Sequence, residues 1–115
     1  MIGPAIDKGG KMYGRLIEIE GIDPSKRGEA MQNLRENVIP ALKGLDGFAG
    51  FMSMVDEGNR RARAIVLWET EENAEDAERQ MAPRREEMVS QMGATVRSAD
   101  LYEVAIAEVA AAVQV

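Results

Sequence analysis

What most constrains this chain is the order of its apolar segments: strand, helix, two strands joined by a tight turn, helix, strand. That order, βαββαβ, predicts a split βαβ sandwich in which a four-stranded antiparallel sheet carries both helices on one face. The predicted strands are apolar on both sides, whereas two helices cover only one face, so the other face calls for a partner.

The individual segments carry this reading. Tyr13 to Glu20 alternates, with Tyr13, Arg15, Ile17 and Ile19 on one side and Leu16, Glu18 and Glu20 on the other, which predicts the first strand. Asp23 or Ser25 can cap the helix that follows, with Pro24 tolerated in its first turn. Its inward stripe is Ala30, Met31, Leu34, Val38, Ala41 and Leu42. Pro40 is expected to bend it or to split off its end, and Gly44 to stop it in a left-handed conformation. Phe48 to Val55 and Ala62 to Trp68 form a hairpin, with Gly58 and Asn59 expected to supply positive φ in the turn. Thr70 is placed to cap the second helix, whose stripe is Ala74, Ala77, Met81, Met88 and Met92 and which Pro83 is expected to kink or divide. The last strand is expected from Thr95 to about Ala107, with Val96, Tyr102, Val104 and Ile106 as its apolar set.

A chain of 115 residues with 45% hydrophobic content builds one core, which bounds it to a single domain, here 13–109. Residues 1–12, with Gly3, Pro4, Gly9 and Gly10, are expected to form a flexible lead-in, and 110–115 an Ala-rich tail. The net charge of -6 argues against a nucleic-acid partner, because phosphate binding concentrates Lys and Arg. No run is long and apolar enough to span a bilayer and no signal peptide is evident, so a cytoplasmic location without membrane contact is the expectation. The sequence has no Cys and no His, which removes thiolate nucleophiles, sulfur metal sites and the usual near-neutral acid or base.

Three stretches carry a resemblance. Val38-Ile39-Pro40-Ala41-Leu42-Lys43-Gly44-Leu45-Asp46-Gly47-Phe48 resembles the helix-to-strand passage of the antibiotic biosynthesis monooxygenase family. Val66-Leu67-Trp68-Glu69-Thr70 resembles that family's third strand, and Asp100-Leu101-Tyr102-Glu103-Val104 its last one. Spanning about Gly14 to Val109, the resemblance implies a ferredoxin-like α+β domain of the dimeric α/β barrel type, a homodimer through its sheet faces. It also implies a cofactor-independent monooxygenase acting on a phenolic or quinone-forming substrate, with Trp68 at the position of a pocket-lining Trp in such enzymes. The haem-degrading branch of the superfamily needs a His ligand and an Asn on the first strand; this chain has neither, so no haem and no metal are expected.

Oxygen chemistry without a cofactor needs a substrate that loses a proton and passes an electron to dioxygen, and a protein that steadies the anion. Trp68 and Arg15 are the catalytic candidates, and Tyr13, Asn37, Met52, Met54 and Tyr102 the substrate-binding ones, with Met31 adding to an adaptable apolar lining. Each has a plainer reading beside it. Trp68 also fits a core side chain whose indole N–H meets a backbone carbonyl, and Arg15 a strand-edge cation paired with Glu18, Glu20 or Glu103. Arg60, Arg61 and Arg63 form a dense basic cluster, which at a hairpin end suits a substrate phosphate or carboxylate or simply a solvated turn, and Arg84 and Arg85 form a second, shorter cluster. A non-catalytic dimer that binds a small apolar or aromatic molecule is the alternative to an enzyme.

Overall fold

The structure is a computed structural model and describes residues 11–110; most of the expected lead-in and tail therefore lie outside the described residues. Four strands, β1 (Tyr13–Glu20), β2 (Phe48–Asp56), β3 (Arg61–Trp68) and β4 (Thr95–Glu103), form one antiparallel sheet in the order β2-β3-β1-β4. The central position of β1 follows from its two partners, and its alternation sends Arg15, Ile17 and Ile19 to the helix-covered face. Met12 is already buried, and its carbonyl accepts the Val104 N–H at 2.8 Å, so pairing continues just beyond the ends of β1 and β4.

The first crossover is a 3₁₀ turn (Pro24–Lys26), helix α1 (Arg27–Asn33), a π-helical stretch (Leu34–Val38) and helix α2 (Ile39–Lys43). Asp23 is the cap, its carboxylate accepting from the Ser25 N–H at 3.0 Å. Pro40 explains the π stretch: its ring would clash with the carbonyl four residues back, and the wider turn makes room. The second crossover is helix α3 (Glu71–Gln91), capped by Thr70 Oγ1, which accepts from the Asn73 N–H at 3.0 Å. Pro83 lies inside α3, which continues through it undivided, so of the two expected effects division does not occur.

Other expectations are corrected by backbone detail. Gly44 ends α2 with φ -82, and the left-handed residue is Gly47 at φ 80, where an added Cβ would overlap the Asn73 side chain. In the hairpin turn the positive φ belongs to Arg60, at 54, and not to Gly58 or Asn59. Strand β4 stops at Glu103, short of Ala107, and Ile106 beyond it is fully exposed to solvent.

Two bulges decide which side chains meet the helices. Between Glu18 and Ile19 the β1–β4 register slips, leaving Arg97 as the extra residue, so Val96 joins Ala99 and Leu101 beneath the helices. The apolar set expected for β4 is thereby split, since Tyr102 stays on the opposite face with 55% exposure. A second slip at Ala49 lets both Phe48 and Phe51 pack against the core. The core itself joins Ile17, Ile19, Val66 and Trp68 of the sheet to Leu42 of α2 and Ala74, Ala77 and Val89 of α3.

Candidate functional site

A cavity of about 120 Å³ lies between the helix-covered face of the sheet and the two crossovers. Its walls are mostly apolar: Ile17, Ile19 and Val66 from the sheet, Met31 and Leu34 from the first crossover, and Met81 from α3. Trp68 also lines it, only 2% exposed, with its ring edge-on to Phe48 at 6.0 Å between centroids and 81° between planes. Among the described residues its indole N–H has no hydrogen-bond partner, so the backbone tether of the plainer reading is not made. The rim is exposed and polar, formed by Pro24, Arg27, Glu57, Arg60, Arg61 and Arg84 at the hairpin end of the sheet.

Charge enters this apolar space in one compact network. Arg15, only 8% exposed on the central strand, donates from Nη1 to the Ala99 carbonyl at 3.0 Å and from Nη2 to Glu75 Oε1 at 2.7 Å. Its Nε lies 3.5 Å from Glu78 Oε1. Glu78 also accepts two hydrogen bonds from Arg85, Nη1 to Oε1 at 3.0 Å and Nη2 to Oε2 at 2.5 Å. Shared carboxylates make it possible to keep two guanidinium groups away from water, since each unpaired buried charge would cost several kcal/mol. One donor is left over: the Arg85 Nε–H is buried and has no partner among the described residues. An unmet buried donor costs about 1–3 kcal/mol.

The predicted site residues separate into two groups. Arg15, Trp68 and Met31 line the cavity together. Tyr13 shares their face of the sheet and packs against the core, but is not among the cavity's lining residues. Asn37 is exposed on the first crossover, its Nδ2 donating to Asn33 Oδ1 at 2.7 Å. Met52, Met54 and Tyr102 lie on the uncovered face at 52%, 48% and 55% exposure, because the period of two in a strand sends them away from Phe51, Val66 and Leu101. The cavity lining proposed for them from sequence is corrected accordingly.

Glu78 and Arg85 are the members that sequence reasoning missed. The signal was present: Arg85 falls between Met81 and Met88 at the helical spacing of the inward stripe. Among the described residues no group of three or more acidic side chains is arranged to hold a metal ion, and no helix is long and apolar enough to cross a membrane.

No family model matches the chain. The uncharacterized proteins Rv2557 and MT2634 of two Mycobacterium tuberculosis strains are each 35% identical to it over 63 residues. That stretch is 55% of this chain and 28% of either relative, so the match spans less than a third of the length of these curated relatives. Among solved structures the chain is similar to a monooxygenase from the gene ActVA-Orf6 of Streptomyces coelicolor, determined with the ligand nanaomycin D. The TM-score is 0.62 at 14% identity, covering 94% of this chain and 99% of that one. It is likewise similar to NE2512, a protein of unknown function from Nitrosomonas europaea, with a TM-score of 0.63 at 12% identity over 89% and 97% of the two chains. The fold is thus the ferredoxin-like α+β fold that the resemblance implied, shared with these two solved structures.

Proposed function

From that fold, we propose that the protein binds a small phenolic molecule in the cavity beside Trp68 and oxygenates it without a cofactor. The observation that carries this reading is the Arg15–Glu78–Arg85 network, which sets two guanidinium groups in the wall of an otherwise apolar cavity beside Trp68. At about 120 Å³ the cavity is somewhat smaller than the ~150 Å³ that holds a benzene ring elsewhere, so a ring enters it with its outer part projecting toward the open rim. The Arg85 guanidinium and the Trp68 indole N–H are the donors assigned to the ring's oxygen, and their hydrogen bonds favour its ionised form.

The chemistry then rests with substrate and dioxygen. The bound phenolate gives one electron to dioxygen, and the phenoxyl and superoxide radicals combine at an unsubstituted ring carbon. The resulting hydroperoxide breaks its O–O bond, and the hydroxyl proton and ring hydrogen of the starting phenol leave in water. The balance is one phenol and one dioxygen to one quinone and one water. Arg85 and Trp68 hold the oxygen where negative charge resides, and the apolar walls keep bulk water from the radical pair.

The uncovered face of the sheet supports an assembly reading as well. Met52, Met54 and Tyr102 are exposed there, and Leu16, Ile65 and Leu67 are half-buried, an apolar surface that a second copy of the chain would cover. Oxygen uptake is the test of function: with alpha-naphthol and a chelator present, the purified protein consumes one dioxygen per quinone formed. No uptake with any of a panel of mono- and polycyclic phenols overturns the enzymatic reading and leaves that of a ligand-binding dimer.

A further inference from the structure

We infer that the ligand carries, besides its ring, an anionic oxygen group, a carboxylate or a phosphate, held at the cavity rim by Arg60 and Arg84. This rests on the proposed ligand site and names the class of molecule that enters it. Six arginines line the cavity against three acidic residues, although the whole chain carries a net charge of -6. The excess is therefore local to this opening rather than a property of the surface.

Pairing locates that excess. Inside, Glu78 and Glu75 answer Arg15 and Arg85. At the rim, Asp56 holds Arg61 at 3.0 Å and Glu57 approaches Arg27 at 3.7 Å. Both rim acids are thereby engaged. Arg60, on the hairpin, and Arg84, on α3, make no salt bridge among the described residues; Asp23, already held by Ser25, feels the charge of Arg60 only as the least of the influences on it, after that of Lys26.

The backbone at Arg60 points the same way. It holds φ 54, a conformation that favours glycine, although Gly58 stands two residues earlier. Its carbonyl accepts from both Gly21 at 2.8 Å and Ile22 at 3.1 Å, which ties the turn to the end of β1. A residue with a long cation is thus fixed at the opening, at a position where a residue without a side chain would be less strained. Two arginines are too few to track a nucleic-acid backbone, but they suit one small anion.

The test compares para-hydroxyphenylacetate, para-hydroxybenzylphosphonate and the neutral para-hydroxyphenylacetamide by calorimetric titration. At least one anion binds about tenfold or more tightly than the amide, high salt narrows the gap, and the better anion tells carboxylate from phosphate. In the double variant Arg60→Gln, Arg84→Gln the preference disappears while affinity for the amide is unchanged. Equal affinity for all three, or a preference that survives the double substitution, overturns the inference and leaves the cavity reading standing. Absence of binding by all three probes overturns both.

Discussion

Arg85 reaches back two turns along α3 to hold Glu78, its two Nη atoms on the two carboxylate oxygens at 3.0 and 2.5 Å. Helical side chains lean toward the N-terminus, so a long Arg side chain can cover that rise within the cavity wall. From β1, Arg15 meets the same carboxylate. Glu78 is therefore the hinge of the charged network, and the predictions start from it.

Glu78→Gln leaves the Arg85 guanidinium without a carboxylate partner and Arg15 with only the exposed Glu75. A loss of about 3 kcal/mol in unfolding free energy is expected, at the lower end for a broken buried pair because Glu78 keeps 27% side-chain exposure. Glu75→Gln removes a partner with 53% side-chain exposure and costs at most about 1 kcal/mol. Urea denaturation of both variants at neutral pH checks the ordering, which reverses if Arg15 relies on Glu75.

Trp68→Phe tests the deep wall. Phe keeps an edge contact toward Phe48 but leaves a void and removes the indole donor, so stability falls by about 1–2 kcal/mol while the fold persists. Turnover of a phenol falls tenfold or more. If melting shifts as expected and turnover matches the parent, Trp68 is a packing residue only.

Assembly is checked on the uncovered face. The parent sediments as a dimer at micromolar concentration, and Met52→Asp weakens self-association about a hundredfold by placing a carboxylate in an apolar contact. A parent that sediments as a stable monomer contradicts the homodimer.

Asp56 gives the pH dependence of the hairpin. Hydrogen bonds from the Asn59 side chain, first, and Arg61 hold its carboxyl below the ordinary carboxylate range. A depressed native value contributes stability that is present above the unfolded value and is lost as pH falls through the native one. Melting curves of the parent and Asp56→Asn are therefore separated at neutral pH and converge as pH falls through the depressed native value. A separation that is constant across this range counts against the carboxylate's role.

Strand order, helix stripes and caps were legible in the chain because each follows from a fixed period or a local hydrogen bond. Arg15 was found for the same reason, through the alternation of β1, whereas Trp68 was found as the single Trp and through the resemblance carried by Val66-Leu67-Trp68-Glu69-Thr70. The bulges at Ala49 and Arg97 were not legible, since one extra residue flips the parity of everything beyond it and leaves no compositional mark. That slip is why Val96 and Tyr102 were assigned to one face. Met52 and Met54 were misplaced for a different reason: both faces of β2 carry apolar residues, so alternation cannot say which one meets the helices. Arg85 was overlooked because a cation in an apolar stripe looks like a surface residue until the carboxylate that shares its burial is placed beside it.

The ionisation of a bound phenol tests the central claim most directly. Burial in an apolar cavity alone raises a phenol's pKa, whereas guanidinium donors lower it, so the two influences act in opposite directions on one spectral band. Titrating the ultraviolet phenolate band of alpha-naphthol with the protein in excess, we expect ionisation about one pH unit below that of the free phenol, and a return toward or above the free value in Arg85→Met. Bound naphthol that ionises at or above its free value in the parent, unaffected by Arg85→Met, would contradict a cavity built to hold a phenolate.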